Sequence, residues 1–182
     1  NDRKTELKEE LRIIDEKDLI PEEDVVVTVT HTGYLKRLPV ATYKTQRRGG
    51  KGVKGTGTKE EDFVENLFIT STHDYLLFFT NKGKLYWLKA YEIPEASRYS
   101  TGKAIVNLIK LEKDEKVTTL IPIKDFSKGY LVMVTKKGLI KKTKLQLFSK
   151  PRSNGIRCIT LRGNDELINV LETDGFKQLI LG

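Results

Sequence analysis

The sequence predicts an all-β, propeller-like stack of repeated four-stranded blades, about three and a half repeats long, behind a short N-terminal helical and linker segment. Three observations carry this expectation. From Val25 onward the chain reads as short apolar runs rich in Val, Ile, Phe and Thr, punctuated by glycine-containing turns, which is the grammar of strands. One unit, a strand, a Thr-x-x-Gly turn and a basic strand running back, occurs three times. Its turn glycines, Gly33, Gly83 and Gly138, stand 50 and 55 residues apart, a propeller-blade spacing.

Residues 1–24 read differently from the rest. Apolar residues at Leu7, Leu11 and Ile14 make a one-sided helical stripe. Pro21 and the acidic run Glu22-Glu23-Asp24 break it. This segment is expected to be the end of an upstream element plus an acidic linker, leaving 25–182 as the blade domain. Both ends of the chain read as cuts through a longer protein.

The three hairpins are Val25 to Lys36, Leu76 to Tyr86 and Leu131 to Lys141, and each turn glycine supplies the positive φ that a tight hairpin needs. A second strand-like run precedes each later hairpin: Leu67-Phe68-Ile69-Thr70, Val117-Thr118-Thr119-Leu120-Ile121 and Leu167-Ile168-Asn169-Val170-Leu171. A third element trails each hairpin, and in this register Gly50, Gly102 and Gly155 coincide. A fourth repeat stops at Gln178-Leu179-Ile180-Leu181-Gly182. One blade cannot bury both of its faces alone, so a ring or spiral of stacked sheets follows.

Charge points to the class of partner. The chain of 182 residues carries a net +8. Residues 1–24 hold five Lys/Arg and ten Asp/Glu, a net −5, while the remainder holds 28 and 15, a net +13. An acidic lead-in before a strongly basic body is a nucleic-acid-binding profile with a possible internal competitor. The charge concentrates between Tyr43 and Lys59, which contain six Lys/Arg, five Gly and no acid. Glycines let backbone approach a surface closely, and clustered cations release counterions from phosphates. Apolar content of 38% suits a globular protein, no apolar run reaches membrane-spanning length, and no signal-peptide pattern opens the chain. The single cysteine, Cys158, fits a reducing cytoplasm and reads as a small buried hydrophobe.

Catalytic chemistry finds little support. His31 and His73 sit at turns without metal-ligand spacing. Gly50-Lys51-Gly52-Val53-Lys54-Gly55 matches G-x-G-x-x-G but lacks the following helix of a dinucleotide site, and no Gly-Lys-Ser/Thr occurs. The seven tyrosines read as strand packing. The clusters Lys59-Glu60-Glu61-Asp62 and Glu112-Lys113-Asp114-Glu115-Lys116 read as solvated loops.

With repeat and basic loop both in place, the chain resembles the C-terminal domain of the DNA gyrase A subunit over essentially its whole length. Gln46-Arg47-Arg48-Gly49-Gly50-Lys51-Gly52 matches that family's signature heptapeptide, the gyrase A box. Asp18 to Val27 and Thr30 to Pro39 resemble the family's approach to its first blade. The resemblance implies a β-pinwheel of hairpin-exchanging blades, usually six, with a basic outer rim that wraps double-stranded DNA with positive handedness. It also implies that cleavage chemistry lies upstream, that ATP and Mg²⁺ belong elsewhere in the holoenzyme, and that this chain carries no cofactor. The implied partners are the gyrase B subunit plus a second A subunit, forming a heterotetramer, with no membrane, in a cytoplasmic, nucleoid-associated setting. The isolated domain is expected to be monomeric. The expected DNA contacts are Gln46, Arg47, Arg48, Gly49, Gly50, Lys51, Gly52 and Lys54, with Lys44, then Arg98 and Lys103, then Arg152 and Arg157. Hairpin cations such as Lys36, Arg37, Lys82, Lys84, Lys136, Lys137, Lys141 and Lys142 are weaker candidates, because a basic hairpin also protects a β edge. The competing readings are the equivalent C-terminal domain of topoisomerase IV (its A subunit) or a propeller platform without DNA.

Overall fold

A computed structural model describes residues 19–45 and 62–176. The helical stripe of residues 5–14, the heptapeptide Gln46 to Gly52 with Lys54, and the expected fourth repeat at 178–182 lie outside the described residues. The elements in order are β1 (Asp24–Thr30), β2 (Tyr34–Pro39), a six-residue helix α1 (Val40–Thr45), β3 (Val64–Ser71), β4 (Tyr75–Thr80), β5 (Lys84–Lys89), β6 (Lys103–Ala104), β7 (Val117–Ile123), β8 (Tyr130–Thr135), β9 (Ile140–Lys144), β10 (Ile156–Arg157) and β11 (Leu167–Thr173). They form three antiparallel sheets with orders β3-β1-β2-β6, β10-β5-β4-β7 and β11-β8-β9.

The sheets exchange strands. Each long run between hairpins pairs with the hairpin before it, so β3 lies on β1 and β7 on β4. The short strand trailing each later hairpin pairs backward too, β6 on β2 and β10 on β5. The second hairpin therefore supplies the fourth strand of the first sheet, and the third hairpin supplies that of the second. This exchange distinguishes a pinwheel from a propeller of self-contained blades.

Two apolar clusters hold the layers together. Val25, Val27, Val29 and Leu35 of the first sheet pack on Leu76, Phe78, Tyr86 and Leu88 of the second. Leu77, Phe79 and Leu85 on the opposite face of the second sheet pack on Leu131, Met133, Leu145, Leu167 and Val170 of the third. The middle sheet is thus covered on both faces, which is why β4 reads Leu-Leu-Phe-Phe without the alternation of a half-exposed strand. After each hairpin the chain makes one tight helical turn: α1, then 3₁₀ turns at Ala90–Glu92 and Leu145–Phe148. The sequence reading has no helix at α1, although Pro39 just before it presets a helix-compatible φ.

The repeated turn is built from one threonine. Thr30, Thr80 and Thr135 are buried. Their carbonyls accept from the amides of Gly33, Gly83 and Gly138 at 2.9, 2.9 and 3.0 Å. Their hydroxyl oxygens accept from the amides of Tyr34, Lys84 and Leu139. A carboxylate two residues ahead of the next long strand then locks each turn. Asp62 accepts from the Thr32 amide at 3.0 Å, the Thr32 hydroxyl and the Phe63 amide. Glu115 accepts from the Thr80 hydroxyl at 2.7 Å and the Tyr86 hydroxyl at 2.9 Å, and Asp165 accepts from the Lys137 amide at 2.9 Å. Asp62 and Glu115 are therefore buried latches and not the solvated loop residues expected from sequence. A carboxylate accepting several N–H and O–H groups outcompetes water at the site.

This geometry sets a pH response. Burial alone raises the Asp62 carboxyl, but hydrogen bonds from Thr30, Thr32 and Phe63 outweigh it and hold the pKa at about 2. Burial opposes the Asp165 shift as well, and bonds from Thr135, Lys137 and Glu166 draw it downward. A carboxyl with a lower pKa folded than unfolded stabilises the fold above its unfolded value of about 4, and that contribution fades as pH falls towards the folded value. The chain is expected to lose stability steeply between about pH 4 and pH 2. Asp62→Asn should be less stable at neutral pH and flatter across that window in urea titrations followed by circular dichroism. An acid limb identical to wild type would show that the Asp62 charge plays no part.

Candidate nucleic-acid interface

The exposed cations gather where the exchanged strands lie. In β6, Lys103 is exposed and its backbone pairs with Leu35. In β10, Arg157 is exposed and pairs with Lys84. Arg152 is exposed in the turn that the Gly155 amide closes onto the Arg152 carbonyl at 2.9 Å. Arg98 is half-buried in the turn before β6, beside the exposed Tyr99. Lys44 lies in α1. Arg98 and Lys103 thus occupy the edge of the first sheet, and Arg152 and Arg157 the equivalent edge of the second.

Two glycines force those loops against the preceding hairpin. Gly102 has φ +90° and a Cβ there would stand 2.3 Å from the Leu35 carbonyl oxygen. Gly155 has φ +68° and its Cβ would stand 2.8 Å from the Leu85 carbonyl oxygen. The coincidence of Gly102 and Gly155 expected from sequence is therefore a shared contact, because Leu35 and Leu85 hold the same position two residues past their turn glycines.

Several hairpin cations serve the fold. Lys36 is buried, and its ammonium donates to the carbonyls of Ser97 at 3.3 Å, Arg98 at 2.7 Å and Ser100 at 2.7 Å. Burial, then the nearby Arg98 charge, lower its pKa from the ordinary lysine value. Lys36 is a strut that shapes the Arg98 turn and not a surface contact. Arg37 donates from Nε to the Ile93 carbonyl at 2.7 Å and lies 3.4 Å from Glu95. Lys84 pairs with Glu112 at 2.8 Å; burial would lower its pKa, but Glu112 and the Tyr86 oxygen outweigh that and raise it. Lys141 donates to the Cys158 carbonyl at 2.9 Å, and Lys142 sits 4.3 Å above the Tyr130 ring. Lys82 and Lys137 donate to the Lys113 carbonyl and the Asn164 side chain. These engaged ammonium groups give up less to a phosphate than Lys103, Arg152 or Arg157 do.

Sequence reasoning missed the strut and the latches. Each latch had a signal: an acid two residues ahead of each long strand, in phase with the Thr-x-x-Gly turn, at Asp62, Glu115 and Asp165. Cys158 agrees with its sequence reading: it is buried, its thiol is pushed up to about 12 by burial, and its Sγ donates to the Gly83 carbonyl at 3.2 Å. His31, half-exposed, stacks on Phe63 at 4.8 Å. No helix among the described residues is long and apolar enough to cross a membrane.

A family described as DNA gyrase C-terminal domain, beta-propeller, matches three times, over residues 24–71, 74–124 and 129–174. The chain belongs to this gyrase C-terminal domain family. The three matches coincide with β1–β3, β4–β7 and β8–β11, so each family repeat is a hairpin plus the long strand that returns to it. The A subunit of DNA gyrase from Halalkalibacterium halodurans is 48% identical over 183 residues, covering 100% of this chain and 22% of that protein. The chain therefore spans about a fifth of the length of the relative it matches. Among solved structures, the C-terminal domain of DNA topoisomerase IV superposes with TM-score 0.73 at 34% identity, covering 86% of this chain and 47% of the other. The DNA gyrase A C-terminal domain superposes with TM-score 0.63 at 32% identity, covering 84% and 49%. The gyrase-family fold expected from the heptapeptide and the repeat is thus the fold of this chain, a β-pinwheel with a DNA-binding role in its family.

Proposed function

We propose that this chain binds double-stranded DNA without sequence specificity along the edges carrying Arg98, Lys103, Arg152 and Arg157, continued by Gln46 to Gly52, Lys54 and Lys44. It bends the duplex and wraps it with positive handedness. In the parent heterotetramer, where the gyrase B subunit joins two copies of the A subunit, this wrap presents a neighbouring segment of the same DNA for ATP-driven strand passage and negative supercoiling. ATP, Mg²⁺ and the cleavage chemistry belong to other parts of that assembly, which works in the cytoplasm at the nucleoid. The observation that carries this reading is similarity to a gyrase polypeptide across 100% of the chain, joined to edge cations that recur in the first and second sheets.

The physics is a balance of bending against phosphate contacts. Smoothly bending a short site through 40–90° costs on the order of 1–6 kcal/mol, and distributed Lys/Arg–phosphate contacts offset it. None of these cations is paired with a side chain shaped to read base edges, so recognition rests on backbone and deformability. Replacing Arg152 and Arg157 by Ala should lower the slope of log K against log salt by about 0.9 for each phosphate that is no longer neutralised. The same holds for Arg47 and Arg48. An unchanged slope in a salt titration would remove that pair from the interface.

The superposition on topoisomerase IV favours a second reading, a domain that binds DNA without a handed wrap. Sealing nicked circular plasmid with ligase in the presence of the chain separates the two. A protein-dependent positive shift in linking number supports the gyrase reading, and retained binding without a shift supports the other.

A further inference from the structure

The two ends of the three-layer stack are complementary to each other. Three residues share one repeat position, two past the turn glycine: Leu35 and Leu85 are 0% exposed, and Ile140 is 51% exposed. The first two are covered by β6 and β10 with their glycines, whereas the third sheet has no fourth strand among the described residues. The same contrast holds one strand over. Ile121 pairs with Leu77 and is 9% exposed, while its counterpart Leu171 pairs with Val132 and is 39% exposed. The outward face of the third sheet is thus a copy of the surface that the second sheet uses to receive the third.

The outward face of the first sheet is the matching half. Leu67 and Ile69 pair with Thr28 and Val26, as Leu120 and Pro122 pair with Phe78 and Leu76. Leu120 packs against the apolar cluster between the first two sheets, yet Leu67 is 50% and Ile69 is 60% exposed. An apolar face of this kind marks an interaction site. The contact each face lacks is the one that every internal layer already makes.

We infer that a second copy of this chain is the occupant, its first sheet stacked on this chain's third sheet and its third sheet on this chain's first. The contact is heterologous, face to opposite face, and two such contacts close on themselves. Three layers from each copy make six. Length agrees: the solved domains on which this fold superposes are about twice as long as the part this chain covers, 47% and 49% of each. A monomer is the expectation for a closed disc, which has no face left over. A stack of three sheets has two.

Sedimentation equilibrium of the chain at micromolar concentrations tests this without DNA, so neither outcome bears on the wrapping proposal. The expected mass is twice 20.8 kDa. Ile140→Asp and Leu67→Asp each place a charge on one face at a half-exposed position, and each should give a monomer with the wild-type circular dichroism. An equimolar mixture of the two should regain dimers, because one of its two contacts joins an intact third sheet to an intact first sheet. A wild-type chain that remains monomeric over the whole concentration range overturns the proposal without reference to any variant. So does a dimer abolished by one substitution and untouched by the other, since that is self-pairing of a single face.

Discussion

Gly102→Ala is expected to destabilise the domain by ~4 kcal/mol, and Gly138→Ala by only ~1 kcal/mol, although both glycines have nearly the same backbone conformation, φ +90° and +83°. The left-handed conformation alone accounts for about 1–2 kcal/mol in any residue with a side chain. At Gly138 nothing lies within 4 Å of the added carbon, so that is the whole effect. At Gly102 the carbon would stand 2.3 Å from the Leu35 carbonyl oxygen and 2.8 Å from its carbonyl carbon. Those are backbone atoms of a strand held in a ladder, so β6 must lift away, and overpacking of this kind adds about 1–3 kcal/mol. A domain of ordinary stability holds about 5–15 kcal/mol in all, so the first substitution removes a large part of it. Lifting β6 also displaces Lys103 and releases the Arg98 turn from Lys36, so DNA affinity should fall in Gly102→Ala and hold in Gly138→Ala. Urea unfolding of both variants decides the matter, and equal losses would mean that the close crossing of β6 over β2 is not a constraint.

The same crossing separates what was legible in the sequence from what was not. The hairpins were legible because Thr-x-x-Gly has a local physical reason, a turn that needs a positive φ at its fourth residue, and it recurs at Thr30, Thr80 and Thr135. The double burial of the middle sheet was legible in the unbroken apolar run of β4. Strand exchange was not, because β6 and β10 are two residues long and carry no periodicity. Only the matched glycines hinted at them, and what those glycines touch is a carbonyl 67 or 70 residues earlier in the chain. Charge misled for a related reason. Lys36 and Lys103 are the same residue type, but one is buried among three carbonyls and the other is exposed on an edge strand. Composition predicts a basic surface, and only the tertiary neighbours decide which cations belong to it. Glu115 went the same way in the opposite sign, sitting in a charged stretch that reads as solvent-facing while its own side chain turns inward.

That inward carboxylate supports the second large expected effect. Glu115→Ala should cost about 3–5 kcal/mol, more than Glu115→Gln at about 1–2. Glu115 accepts from the Thr80 hydroxyl at 2.7 Å, the Tyr86 hydroxyl at 2.9 Å and the Glu112 amide at 2.7 Å. Thr80 and Tyr86 are themselves fully buried, so truncation leaves hydroxyl groups facing no acceptor, each worth about 1–3 kcal/mol. Glutamine keeps the shape and one acceptor oxygen but presents an amide donor where the carboxylate had a second acceptor. The two hydroxyls come from opposite strands of one hairpin, β4 and β5, while Glu115 comes from the loop that leads into β7. The carboxylate therefore ties three strands of the middle sheet together, and that sheet lies between both apolar clusters. Its loss should lower the unfolding midpoint of the whole domain cooperatively. A double-mutant cycle with Thr80→Val in thermal unfolding tests the mechanism. The double variant should lose clearly less than the sum of the singles, since both remove the same bond. Strict additivity would mean that Glu115 stabilises the domain by some route other than the Thr80 turn.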